Sequence, residues 1–532
     1  MTTTAPSETG LPAASSLAHR VSRSLFWNAV LVPVAFVLSA VMSILIRRTF
    51  GLRSGIYDVV SGLVGSVLLY SSLGLSTALT KFLPELEVAR GRHAVVEFLG
   101  RAVGARLAVL VAIMVPMNAF APAVAAHLHL GEQGALLVRL ATAMVAARAA
   151  LDLGVKTLNA FLAQREVNVL AIVQAFTDPA FIAIAIAAGW GIPGVIGALA
   201  ASSAFMALGA VWSAARILRT LPKEGRRATG ATSAPAPVIR AGTSDLARFA
   251  GFSYVYELSL YFAGPAFACP ALAMVLGDPS QVALFSTGFY VAFNLVGLVV
   301  AGFRGVYRPM FAHLRASGDP ERLRAAFVAV TKAQIVMLLP VGVGLYVMCA
   351  DFLPLLYGKQ FVAGVWATRT LVALLFTETA FNLGLIVLSI DERYAPVLGA
   401  QALLVICAPL FLLAAKWSGV TAAAAVLGCA RVTACMVGYA FCRRWYGLRF
   451  PWAFTARVSL VSGVMGVALV AVRSIWPTSI LEATTLTAAG AIVFAIGLRL
   501  ARVIGPEERA LLERARIPGG RWLVRWLVPA SV

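Results

Sequence analysis

The sequence predicts an all-α integral membrane protein, a bundle of about fourteen transmembrane helices. Three observations predict it. Of the 532 residues, 60% are hydrophobic and 13% charged, whereas soluble domains run to roughly half and a quarter. The apolar residues gather in runs long enough to span a bilayer. Short segments rich in Lys and Arg separate those runs. Fourteen spans of about 20 residues use about 280 positions, which fits the chain with short loops left over.

The first element is a polar stretch, 1–24, which reads as a cytoplasmic N-terminal tail. The apolar run after it is too long for the core of a signal peptide and is expected to remain as the first helix. Six spans are expected near 25–46, 56–79, 102–124, 135–158, 167–188 and 192–215, forming a first lobe, 25–215. The stretch 216–248 carries Pro222, Pro235 and Pro237 among Lys and Arg and reads as a cytoplasmic linker. A second six-helix lobe, 249–441, is expected from runs near 249–274, 282–303, 326–348, 365–388, 396–415 and 418–441. An extra helix pair follows in 442–500, with spans near 455–472 and 484–500. In the last segment, 501–532, Arg521, Trp522, Arg525 and Trp526 alternate with Leu and Val. That pattern reads as an amphipathic tail on the cytoplasmic membrane surface.

The formal net charge of +21 does not point to nucleic acid. The cations lie between apolar runs and not in a soluble basic domain, so they read as topology signals and contacts to membrane lipids. Placing both termini in the cytoplasm puts most of the 44 Lys and Arg on that side. The six cysteines are scattered and read as packing residues. His127 and His129 have no third ligand nearby, so no metal is expected. Gly100 and Gly104 form a G-x-x-x-G, expected to mark close helix packing. No nucleotide-binding loop is present, and no cofactor is expected.

The two lobes resemble each other. Arg139, Ala143, Ala150, Leu153, Gly154 and Leu158 match Arg369, Ala373, Ala380, Leu383, Gly384 and Leu388 at a constant offset of 230. Such duplication is common in transporters. Six is an even number, so the second lobe enters the membrane from the same side as the first. The lobes are therefore expected to be related by a pseudo-twofold along the membrane normal, with a cavity between them.

The stretch Ile46-Arg47-Arg48-Thr49-Phe50-Gly51, followed by Gly55-Ile56-Tyr57, resembles the end of the first helix in bacterial polysaccharide flippases. Gly74-Leu75-Ser76-Thr77-Ala78-Leu79-Thr80-Lys81-Phe82 resembles the end of their second helix. The motif positions carried over are Arg48, Gly51, Gly55, Tyr57 and Gly74. Thr49, Leu52 and Arg53 depart from the pattern, where Leu, Pro and acidic residues are usual. These flippases belong to the multidrug/oligosaccharidyl-lipid/polysaccharide exporter superfamily, with the multidrug and toxin extruders and the lipid II flippases. The resemblance implies a non-enzymatic flippase of the inner membrane that moves an undecaprenyl-diphosphate-linked oligosaccharide outward for surface polysaccharide assembly. It also implies glycosyltransferases and a glycan polymerase as partners.

A diphosphate headgroup needs a wet, positively charged path across about 30 Å of hydrocarbon. Buried cations cost roughly 2.5–3.5 kcal/mol each on insertion scales, so they should be few and grouped where they are used. Arg148, Asp152 and Lys156 lie at i, i+4 and i+8 on one face of the fourth span. They are expected to line the cavity and contact the diphosphate, or else to form a self-neutralising ladder. Lys332 and Arg431 are further substrate-binding candidates, with snorkelling as the alternative for Lys332. Arg106 is expected to snorkel, and Arg139 and Arg369 to anchor the outer interface or to form an exit-side anion ring. Asp178, Glu257 and Glu378 are candidates for ion coupling, with a structural ion pair as the alternative for each; Asp178 precedes Pro179, and Glu257 lies ahead of Pro265 and Pro270, which predict a bent helix. Rival readings are a lipid II-type flippase, a cation-coupled drug extruder on the same scaffold, and a membrane enzyme of glycan polymerisation. The last is disfavoured because the outer loops are short and the longest, 349–364, carries only Asp351 and Lys359 as charges.

Overall fold

A computed structural model describes residues 34–223, 243–316, 319–390, 393–473, 479–503 and 505. The expected N-terminal tail, most of the linker and the amphipathic tail lie outside the described residues. The described residues are helical throughout, without strands. The helices are α1 (34–50), α2 (Ser54–Tyr70), α3 (Leu75–Arg90), α4 (Arg92–Ala119), α5 (Ala121–His127), α6 (Gly134–Ala160), α7 (Gln164–Ala187) and α8 (Gly191–Thr220). After the linker come α9 (Thr243–Tyr261), α10 (Pro265–Leu276), α11 (Pro279–Ala316), α12 (Pro320–Tyr357), α13 (Val365–Phe381) and α14 (Leu383–Ile390). The chain continues through α15 (Tyr394–Ile406), α16 (Ala408–Tyr446), α17 (Trp452–Arg473) and α18 (Ile480–Leu500).

Eleven of the described helices are long and apolar enough to cross a membrane, or twelve if the bent pair α9–α10 is one span. Two of these stretches break at a glycine with positive φ. The stretch Val34–Tyr70 is interrupted by a 3-10 turn at Gly51–Arg53, where Gly51 has φ 58°. Arg47 contacts Asp58 across that turn. Along a straight helix eleven residues would separate their Cα atoms by about 16 Å, so the chain turns between α1 and α2. The stretch Tyr394–Tyr446 is 53 residues long, about 80 Å if straight, and Gly419 inside it is non-helical with φ 72°.

The helices pack in two groups. In the first, α6 lies against α8, α2, α3, α4 and α5, and α7 against α8. In the second, α13 lies against α16, α11 and α12, and α15 against α16 and α9. The last pair adds to the second group through α12, with Arg473 of α17 bound to Asp351 at 2.6 Å. The matched glycines make equivalent approaches. A Cβ on Gly154 would stand 2.8 Å from that of Ala210 in α8, and one on Gly384 2.8 Å from the Cα of Tyr439 in α16.

Three local expectations change. The second span ends at Tyr70, short of 79, because Leu73 and Gly74 both take positive φ and start the separate helix α3. Gly100 and Gly104 face open space, with nothing within 4 Å of an added Cβ, so their G-x-x-x-G does not pack a helix here. Arg106 does not snorkel; it is 2% exposed. The proline-marked bend is present: Phe249–Tyr261 and Pro265–Leu276 meet at 51°.

Candidate functional site

The two helix groups meet along α2, which packs on α10 and α11. Close approach is built into the sequence there. A Cβ on Gly55 would overlap the carbonyl of Pro279 at the start of α11. At this end of the bundle Arg47 and Asp58 form an ion pair of 3.1 Å, each about 1% exposed. Arg47 donates from Nε to Thr287 Oγ1 at 2.6 Å and from Nη1 to Ser43 Oγ at 2.9 Å. Ser286 Oγ accepts from Arg47 Nη2 at 3.3 Å and donates to Asp58 Oδ2 at 2.5 Å. A charge pair is tolerable in such a place only when its remaining hydrogen-bonding capacity is met, and the two α11 hydroxyls help to meet it. Arg48 donates to the carbonyls of Leu355 and Leu356 at the end of α12, and Gly51 leaves room for Gln360. The motif positions Arg48, Gly51 and Gly55 thus all lie in a seam joining the two groups.

At the opposite end the groups touch again. Glu257 of α9 accepts from Ser72 Oγ at 3.0 Å and from Thr77 Oγ1 at 3.3 Å. Gly74 lies under the Ala250 carbonyl, where a Cβ would clash, and the Lys81 ammonium stands 4.3 Å from the ring centre of Phe249. Glu257 therefore serves the junction of α2, α3 and α9.

Between these ends lies the charged face of α6. Arg148 is half-buried, with Nε 3.5 Å from Ser203 Oγ of α8, and it is within electrostatic reach of Tyr57 on α2. Asp152 binds Arg106 of α4 at 2.6 Å. The ladder along α6 is thus not self-neutralising: the carboxylate is shared with another helix. Lys156 is half-buried and makes no salt bridge among the described residues, and neither does Arg148.

The remaining predicted residues sit apart from that face. Asp178 accepts from Ser202 Oγ at 2.5 Å and from Gln174 Nε2 at 3.4 Å, which ties α7 to α8. Arg431 grips Glu378 through two hydrogen bonds of 2.6 and 2.8 Å and reaches the Ala263 carbonyl at 2.5 Å. Arg431, a substrate-binding candidate, and Glu378, an ion-coupling candidate, satisfy each other as an ion pair on the wall of a cavity of about 540 Å³ in the second group. Lys332 stands 5.4 Å from the ring centre of Phe454. Arg369 donates to the Tyr346 carbonyl at 3.0 Å and lies over Trp366, while Arg139 is exposed. Sequence reasoning missed the Arg47–Asp58 pair. Both residues were visible as charges beside or inside spans, but the pairing needs the turn at Gly51.

Many long apolar helices that enclose ion pairs define a multi-pass membrane protein. Its fold has known counterparts. Over 88% of this chain and 98% of the other, it is similar to the lipid II flippase MurJ in its inward closed conformation, with a TM-score of 0.68 and 12% identity. An inward-facing multidrug resistance MATE family transporter of the MOP superfamily aligns with a TM-score of 0.57 and 16% identity, over 77% of this chain and 98% of that one. A MOP superfamily transporter from Pyrococcus furiosus aligns with a TM-score of 0.51 and 14% identity, over 80% and 96%. The chain has the fold that these transporters share. No protein-family model and no curated protein matches it.

Proposed function

We propose that the protein is a flippase that moves a polyprenyl-diphosphate-linked oligosaccharide across the inner membrane by alternating access. The observation that carries this reading is the α6 face. Arg148 and Lys156 have no acidic partner among the described residues, while the carboxylate between them is held by Arg106. An unmatched pair of cations in a largely apolar bundle calls for a mobile anion, and a diphosphate answers it, with Arg148 as a forked donor. The turns at Gly51 and Gly419 give fourteen crossings in this reading, with both termini cytoplasmic. The Arg47–Asp58 seam is then the outer seal and the Glu257 junction the inner one. Glycosyltransferases supply the substrate and a polymerase consumes it. Arg148→Ala tests the proposal: surface glycan export is expected to stop while the protein level in the membrane stays unchanged. Full export in that variant overturns it.

The higher TM-score of the lipid II flippase, 0.68 against 0.57 for the MATE transporter, favours lipid II as the second reading. Growth of cells depleted of their own lipid II flippase separates the two. Rescue by this chain would select lipid II. A drug extruder would use its acids for organic cations, and here Asp152 and Glu378 are both held by arginines.

A further inference from the structure

The bend between α9 and α10 is held from outside. Pro265 has no N–H to offer the Tyr261 carbonyl, so the two helices cannot join into one straight rod. Ala263 lies between them, and its carbonyl belongs to neither helical ladder. Such a group at membrane depth needs a partner from elsewhere in the protein. Arg431 of α16 supplies it, donating from Nη1 at 2.5 Å while Nε and Nη2 hold Glu378 of α13. The guanidinium is planar and forked, so its pair with Glu378 fixes the plane in which the bond to Ala263 lies. Two helices of the second group thus grip the point about which α9 can turn.

α9 turns a different face to each group. Ala250, Tyr254 and Glu257, at i, i+4 and i+7, meet the first group. The first two lie over Gly74, and Glu257 accepts from Ser72 and Thr77. Phe252, Tyr256 and Leu260, at i, i+4 and i+8, turn toward the second. Phe252 lies on Tyr394 of α15, with 4.0 Å between ring centres. Tyr256 and Leu260 line the cavity of about 540 Å³. Close-packed interiors leave few voids of that size, so α9 has close contacts on one side and space on the other. We propose that Arg431, braced by Glu378, is a strap that holds the α9–α10 bend, and that its release lets α9 swing from the first group toward the cavity, taking α15 with it and opening the Glu257 junction. The device acts on the motion of the bundle and holds for either substrate. From Ala263 to Ala250 the lever is about 20 Å long, so a change of about 20° at the break moves its end by about 7 Å.

The test places nitroxide spin labels on the full chain in lipid nanodiscs and reads their separation by double electron–electron resonance. One pair, at Gly251 and at Val88 of α3, spans the Glu257 junction. A second pair, at Gly251 and at Met274 of α10, reads the bend itself. All three positions are exposed, and nothing stands within 4 Å of a Cβ at Gly251. Arg431→Met combined with Glu378→Gln removes strap and brace together, so no lone charge stays buried and the chain should fold. Arg431→Lys keeps a charge opposite Glu378 but lacks the fork that also reaches Ala263. In both, the first separation should lengthen by about 5–7 Å and the second should change by about 2 Å. Native separations in either folded variant overturn the proposal. A longer first separation with an unchanged second also overturns it, because whole helix groups then rock without the hinge.

Discussion

Arg47 and Asp58 lie eleven residues apart on two different helices and meet at 3.1 Å, almost wholly out of solvent. The pair is locked to α11 through Ser286 and Thr287. Removing one member leaves the other as an uncompensated buried charge. Arg47→Ala and Asp58→Ala are each expected to cost about 3–5 kcal/mol. The double variant should cost less than the sum of the two. Thermal unfolding of the four proteins in detergent gives the cycle, and simple additivity would refute the coupling.

The pair Arg106–Asp152 behaves asymmetrically. The Arg106 side chain is 2% exposed and that of Asp152 33%. Asp152→Asn strands a buried guanidinium, whereas Arg106→Met leaves a carboxylate that water can reach. The first substitution should lower the unfolding temperature more than the second. The reverse order would show that Arg106 is hydrated in the membrane.

Glu257 holds Ser72 and Thr77 at the junction of α2, α3 and α9. Glu257→Ala should loosen that junction and leave the opposite seam intact. In a cysteine-depleted background, a cysteine at Ala250 should then react faster with a water-soluble maleimide. A cysteine at Ser286 should remain protected. Equal rates with and without Glu257 would remove it from the closure.

Gly154 and Gly384 occupy matched positions where neighbouring helices touch. Valine at either position forces α6 from α8 or α14 from α16. Both variants should fold poorly, to a similar degree, as measured by the fraction that remains monodisperse in detergent. Valine at Gly100 should be tolerated, because nothing stands within 4 Å of it.

Much of the architecture was legible in the chain. Apolar run length gave the helices, Pro265 and Pro270 gave the bend, and the Leu-Gly pairs at 153–154 and 383–384 marked equivalent contacts. Helix ends were less legible. The break after Tyr70 depends on positive φ at Leu73 and Gly74, and on α9 lying against that turn. The site was legible as a list of charges and not as a set of pairs. Arg106 and Asp152 are 46 residues apart, and Arg431 and Glu378 are 53 apart. Helical spacing reveals only neighbours within one helix, so it kept the α6 carboxylate with its own helix and separated Arg431 from its acid.

The pairing of Arg47 with Asp58, Arg106 with Asp152 and Arg431 with Glu378 also has an electrical consequence. A membrane voltage does about 2.3 kcal/mol of work per elementary charge per 100 mV. A cation and an anion that travel together present no net charge to that field. Any motion that carries these three pairs would therefore be nearly silent to the resting potential. In the proposed flippase, voltage acts through Arg148, Lys156 and the anion assigned to them, so the current of a flipping cycle should depend on whether those cations move loaded or empty.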